Sequence, residues 1–146
     1  MAVAILRLYL LHLFASIAVW LATYYPGLDL LLSLLYLYLL YREGRVRPLA
    51  TTTQWLVGFI WQAPALVFAM LSTGLFHLSS IAGYGIFLLS FWATPLLPLF
   101  SLATHQYQGY PLYFPLLLLT PLLLILFWVY ASCGFKTTHN HSAYRM

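Results

Sequence analysis

Long runs of leucine, isoleucine, valine and aromatic residues, interrupted at a few points by polar or helix-breaking residues, make up nearly the whole chain. The first run covers residues 2–23, enough to cross a hydrocarbon core of about 30 Å at about 1.5 Å per residue. It outlasts the apolar stretch of a signal peptide and Arg7 interrupts its start, which predicts a retained span. Pro26 and Gly27 then break the pattern. A second, shorter run covers residues 28–41, with Tyr24 and Tyr25 at one end and Tyr36, Tyr38 and Tyr41 towards the other, in the manner of an interfacial aromatic belt. Residues 42–48 form a charged linker. The third run covers 54–74 and the fourth 79–104, with residues 75–78 as the turn between them. The fifth covers 111–135, after a polar segment at 105–110.

Backbone groups in hydrocarbon have to be hydrogen-bonded within the protein, by helices or by a closed barrel. These runs are continuous and leucine-rich where barrel strands would alternate. The predicted architecture is therefore an all-α, polytopic transmembrane helix bundle of about five spans. It forms a single domain over residues 1–135, followed by a short polar tail at 136–146.

Two patterns are superimposed on the runs. Prolines interrupt the third to fifth helices, where each removes one backbone hydrogen bond and crowds the carbonyl four residues earlier, predicting kinks. By this rule Pro64 frees the carbonyl of Ile60, Pro95 that of Phe91, Pro98 that of Thr94 and Pro121 that of Leu117. Two of these prolines close a repeated tetrapeptide, Trp61-Gln62-Ala63-Pro64 and Trp92-Ala93-Thr94-Pro95. Small and polar residues also line up at helical spacing: Gly58, Gln62, Ala65, Ala69 and Ser72 in the third run, Ser90, Thr94, Ser101 and His105 in the fourth, and Ala15, Ala18 and Ala22 in the first. Such stripes let spans approach closely and bond across the gap, so they mark the expected bundle faces.

Composition sharpens the membrane reading. Of 146 residues 64% are hydrophobic and 5% charged, and the only acids are Asp29 and Glu43. A soluble domain carries roughly 25% charged residues; here the lipid bilayer is the partner that the surface requires. The net charge of +4 rests largely on Arg42, Arg45 and Arg47, a cluster suited to membrane orientation and not to nucleic acid. The same bias places the N-terminus and the 42–47 loop in the cytoplasm. With five spans Lys136 and Arg145 then fall on the far side, a mild violation of the rule. The single cysteine, Cys133, excludes an internal disulfide and every Cys-pair motif, and a small apolar packing residue is its expected role.

Little reactive chemistry is left. His12 lies too deep to snorkel and should face the bundle, hydrogen-bonded to Ser16 or to a neighbouring span. His77 and His105 flank the fourth run and so fall on opposite sides of the membrane, unsuited to hold a haem together. His139 and His141 lie in the tail, where Asn140-His141-Ser142 also fits a glycosylation sequon that matters only if the tail is luminal. The chain has no Ser-His-Asp set, zinc motif, paired intramembrane carboxylates or phosphate-cradling glycine loop, so no enzyme activity, cofactor or metal is expected. Two functions fit. One is a non-catalytic membrane subunit that packs against a partner protein, or against copies of itself, in a transport or respiratory-type assembly. The other is a carrier of a small solute or lipid-like apolar molecule, with a midplane pocket between the third, fourth and fifth helices. Gln62, Thr94, Trp61, Trp92 and His12 are its candidate ligand-binding residues, with Trp55 and Trp128 as further aromatic walls.

Overall fold

The computed structural model describes residues 1–46, 50–73, 79–102, 106–107 and 110–133. Apart from a two-residue antiparallel ladder, Gln106–Tyr107 with Tyr110–Pro111 (β1 and β2), the regular elements are helical. They are α1 (Ala2–Ala22), α2 (Leu28–Val46), α3 (Thr51–Ser72), α4 (Ser79–Trp92), a 3-10 turn (Thr94–Leu96), α5 (Leu97–Ser101) and α6 (Tyr113–Cys133).

Local chemistry explains the boundaries. Between α1 and α2 the Leu28 N–H donates to the Tyr25 carbonyl at 3.1 Å, with Pro26 and Gly27 at the turn's central positions and Gly27 at φ 88°. Proline followed by a residue of positive φ is the requirement of a type II turn. Asp29 opens α2 by accepting the Leu30 N–H at 2.8 Å, placing negative charge at the positive end of the helix dipole. At the other end α2 runs five residues past the predicted stop at Tyr41, because Arg42, Glu43 and Arg45 tolerate helix and no proline intervenes before Pro48. The charged linker is thus mostly the last turns of α2, and Arg45 lies over the Tyr41 ring at 4.8 Å.

The fourth predicted helix is two pieces. Gly83–Trp92 and Thr94–Ser101 are bent by 62° across a break at Ala93, with Pro95 in the 3-10 turn that follows it. Pro64 and Pro121, in contrast, lie inside uninterrupted helices, α3 and α6. Among the described residues three helices, α1, α3 and α6, are long and apolar enough to cross a membrane, or four if the bent pair is one span.

The helices close into a ring: α1 packs on α2, α2 on α6, α6 on α3 and α3 on α4, and the 3-10 turn returns to α1. Three glycines set the close approaches. A Cβ on Gly44 would meet that of Ala131 at 3.0 Å, one on Gly58 would meet Ile125 at 3.3 Å, and one on Gly85 would meet the Ser72 backbone nitrogen at 3.0 Å. Gly58, Gln62, Ala65 and Ser72 are buried as the third stripe requires. The fourth stripe does not survive the bend, for Thr94 is buried whereas Ser101 is exposed.

The outside is apolar where that of a soluble domain would be charged. The interior holds His12, Ser16, Ser33, Gln54, Gln62, Thr120 and Ser132 beside Leu8, Leu40, Trp61, Ile125 and Trp128, while Phe14 (74% exposed), Phe87 (69%) and Tyr130 (72%) project outward. Such an apolar exterior is stable only against lipid or another protein. Tyr36 departs from the aromatic belt and is fully buried, whereas Tyr38 is exposed as a belt requires.

Candidate functional site

The two Trp-x-x-Pro segments converge on His12, a buried side chain at mid-length of α1. Its ring stacks on Trp92, with centroids 4.5 Å apart and planes inclined by 29°. Trp61 and Tyr36 meet it edge-on at 5.8 and 5.7 Å. Four aromatic residues from α1, α2, α3 and α4 therefore form one cluster, and His12 is at its centre.

Hydrogen bonds fix the ring. Nε2 lies 2.9 Å from the Trp92 carbonyl oxygen and Nδ1 lies 2.8 Å from the Tyr36 hydroxyl. A carbonyl only accepts, so Nε2 carries the proton; in the neutral ring Nδ1 then accepts from Tyr36. The Trp92 carbonyl is free for this contact because the backbone tightens at the bend. The Leu96 N–H, which would reach it in a continuous α-helix, donates instead to Ala93 at 2.8 Å. His12 thus takes the place of a backbone donor that the helix break has withdrawn.

A second released carbonyl is handled in the same way. Pro64 has no N–H to offer Ile60, and the Tyr9 hydroxyl donates to that carbonyl at 2.8 Å. Tyr9 also meets Trp92 edge-on at 6.0 Å, one turn of α1 away from His12. The carbonyl released by Pro95 stays within its own segment: the Thr94 hydroxyl donates to Phe91 at 2.6 Å. Of the two partners predicted for the His12 ring, neighbouring helices supply both contacts; the Ser16 hydroxyl donates instead to the His12 backbone carbonyl at 2.9 Å.

Of the five sequence-selected residues, His12, Trp61, Trp92 and Gln62 are brought together. Gln62 joins through its Oε1, which accepts the Trp92 indole N–H at 3.1 Å. Thr94 stands apart, bordering a cavity of about 270 Å³ with Trp20, Thr23, Asp29 and Ser101. Trp128 is buried between helices, and Trp55 is half-exposed and stacked on Phe59. Buried polar atoms without a partner among the described residues include Gln62 Nε2, Trp61 Nε1 and Trp128 Nε1. Beside the ring of His12 is a cavity of about 60 Å³ bordered by Tyr9, Ser16 and Trp92, room for about two waters.

The sequence reading missed Tyr9 and Tyr36. Tyr9 lies three residues before His12 and so on the same face of α1, a signal that was present. Tyr36 had none, since nothing in α2 alone separates an interfacial tyrosine from a buried one. His77, His105, His139 and His141, with Arg47, Lys136, the sequon and the tail, lie outside the described residues. Among the described residues no group of three or more His, Cys, Asp or Glu is placed to hold a metal ion. No family model, curated protein or solved structure matches the chain.

Proposed function

We propose that the protein is a non-catalytic integral membrane subunit that packs against partner spans in a transport or respiratory-type assembly. One observation carries this reading: both ring nitrogens of His12 are engaged by the chain's own groups, Tyr36 and the Trp92 carbonyl. The most reactive side chain of the interior is committed to joining helices. In this reading α2 is a fifth span beside α1, α3, the bent pair and α6. Its 19 residues are about 28 Å long, of which the uncharged stretch, residues 30–41, covers about 18 Å, a mismatch that tilt or local thinning of the bilayer absorbs. The N-terminus and the last turns of α2 face the cytoplasm, residues 1–135 form one membrane domain, and Pro64 and Pro121 add local kinks.

The carrier reading draws on a different observation, the fully buried Gln62 amide nitrogen that lacks a partner among the described residues. Such a donor is what a bound solute with an acceptor group would satisfy. Its pocket would lie between α3, the bent pair and α6.

Purification of the tagged chain in mild detergent, followed by native mass spectrometry, separates the two. A stoichiometric complex with another membrane protein, or a defined homo-oligomer, is the expected result. A single chain that carries one small molecule, lost on Gln62→Leu, would overturn the subunit reading in favour of the carrier.

A further inference from the structure

The seam between α1 and α2 has a feature that neither functional reading uses. At the end where α1 starts and α2 finishes, a recess of about 390 Å³ is bordered by Arg7, Arg42 and Glu43, with Leu11 and Leu39 beneath them. Leu11 and Leu39 also line a second, almost wholly apolar recess, which continues along the same seam to Phe14, Ala18 and Leu35. Sharing Leu11 and Leu39, the two adjoin as an open groove that is charged at its head and apolar along a shallower second part of about 40 Å³. From Leu11 to Ala18 it extends about 10 Å down α1.

The geometry points to a binding site for one phospholipid of net negative charge, its phosphodiester held by Arg7 and Arg42 and an acyl chain laid between α1 and α2. Charge supports this occupant. Two guanidinium groups face one carboxylate, leaving a single positive charge for one phosphodiester to balance. The Arg7–Glu43 pair does not absorb both partners, since its closest approach of 3.6 Å is beyond a hydrogen bond. Arg7 is half-exposed and its planar fork keeps donors for a phosphate. Arg42 is exposed and makes no ion pair among the described residues. Arg45, turned over the Tyr41 ring, does not border the recess. Shape supports the occupant as well. Alanine at position 18 keeps the wall of the groove low between Phe14 and Leu35, as an alkyl chain needs. A free phosphate would use the head of this groove and leave its floor bare to the bilayer. A basic recess between spans that opens onto apolar surface is the form that recognition of anionic lipid takes.

Native mass spectrometry of the full chain in mild detergent tests the site, with dioleoyl phosphatidylglycerol, dioleoyl phosphatidylcholine and glycerol phosphate as probes. One phosphatidylglycerol per chain should be retained in preference to phosphatidylcholine, and glycerol phosphate should not displace it. Arg42→Gln should weaken retention about fivefold, the factor that ~1 kcal/mol per arginine represents. Arg45→Gln removes the same charge three residues away and should leave retention unchanged. Ala18→Leu fills the groove and should weaken retention while both arginines remain. Neither Arg42 nor Ala18 belongs to the buried set, so both variants are expected to fold. Equal losses from Arg42→Gln and Arg45→Gln would reduce the effect to diffuse charge and overturn the site. Displacement by glycerol phosphate, or full retention in Ala18→Leu, would overturn the acyl groove. Equal retention of phosphatidylcholine would overturn the preference for anionic lipid.

Discussion

At His12 the need to satisfy every polar group inside a bilayer becomes an architectural device. The bend after Trp92 and the missing N–H of Pro64 each leave a carbonyl that hydrocarbon cannot solvate, and this chain answers with side chains from α1: His12 for Trp92 and Tyr9 for Ile60. Removing His12 therefore leaves two polar groups unpaired at once, the Trp92 carbonyl and the Tyr36 hydroxyl. His12→Leu should lower stability in detergent by about 1–3 kcal/mol. Tyr36→Phe, which deletes only the hydroxyl, should cost about 1 kcal/mol. Because both changes break the same bond, the double variant should be less destabilised than the sum of the two, by about 0.5–1.5 kcal/mol. Thermal melts of the four proteins give the comparison. Strict additivity, or an unchanged melting temperature for His12→Leu, would mean that the ring does not join α1 to α2.

The helices show which sequence signals carry information and which do not. Helix type, the start of α1 and the turn at Pro26 and Gly27 were legible, because each rests on chemistry within a few residues. So was the buried stripe of α3. The end of α2 was not, since charged residues after an apolar run signal a loop as well as they signal a solvated last turn. The split between α4 and α5 was half legible: Pro95 predicted lost bonds, but the 62° bend depends on what receives the released carbonyls. The convergence of both tryptophan repeats on His12 was not visible at all, because residues distant in sequence supply it. Glycines offer a sharper test of element packing. Gly83 and Gly85 are near neighbours in α4, yet an added Cβ has nothing within 4 Å at the first and meets the α3 backbone at 3.0 Å at the second. Gly83→Ala should stabilise by about 0.5–1 kcal/mol through helix propensity. Gly85→Ala should destabilise by about 1–3 kcal/mol through overpacking. Melting temperatures that move in the same direction would show that α3 and α4 do not meet as described.

For the whole molecule the number of bilayer crossings turns on α2 and on the bent pair. Length and hydropathy admit α1, α3 and α6, and the bent pair as one more, whereas α2 carries four charged residues, Asp29, Arg42, Glu43 and Arg45. These charges sit at its two ends, and the middle, with Ser33, Tyr36 and Leu40 buried in the bundle, carries none. A helix charged only at its ends is what a span with both termini in the headgroup region requires. The Arg7–Glu43 pair brings the start of α1 beside the finish of α2, so the two run antiparallel. Cysteine accessibility can settle this in intact cells, in a background carrying Cys133→Ser. Gly44 is a poor position for the label because it packs against Ala131 and Ser132. Tyr25 and Val46 are both exposed, at opposite ends of α2. Tyr25→Cys should react readily with a membrane-impermeant maleimide, and Val46→Cys should react only after permeabilisation. The reverse pattern would keep α2 as a span but invert the orientation. Equal labelling at the two positions would place both ends of α2 on one side of the membrane and remove it from the count of spans.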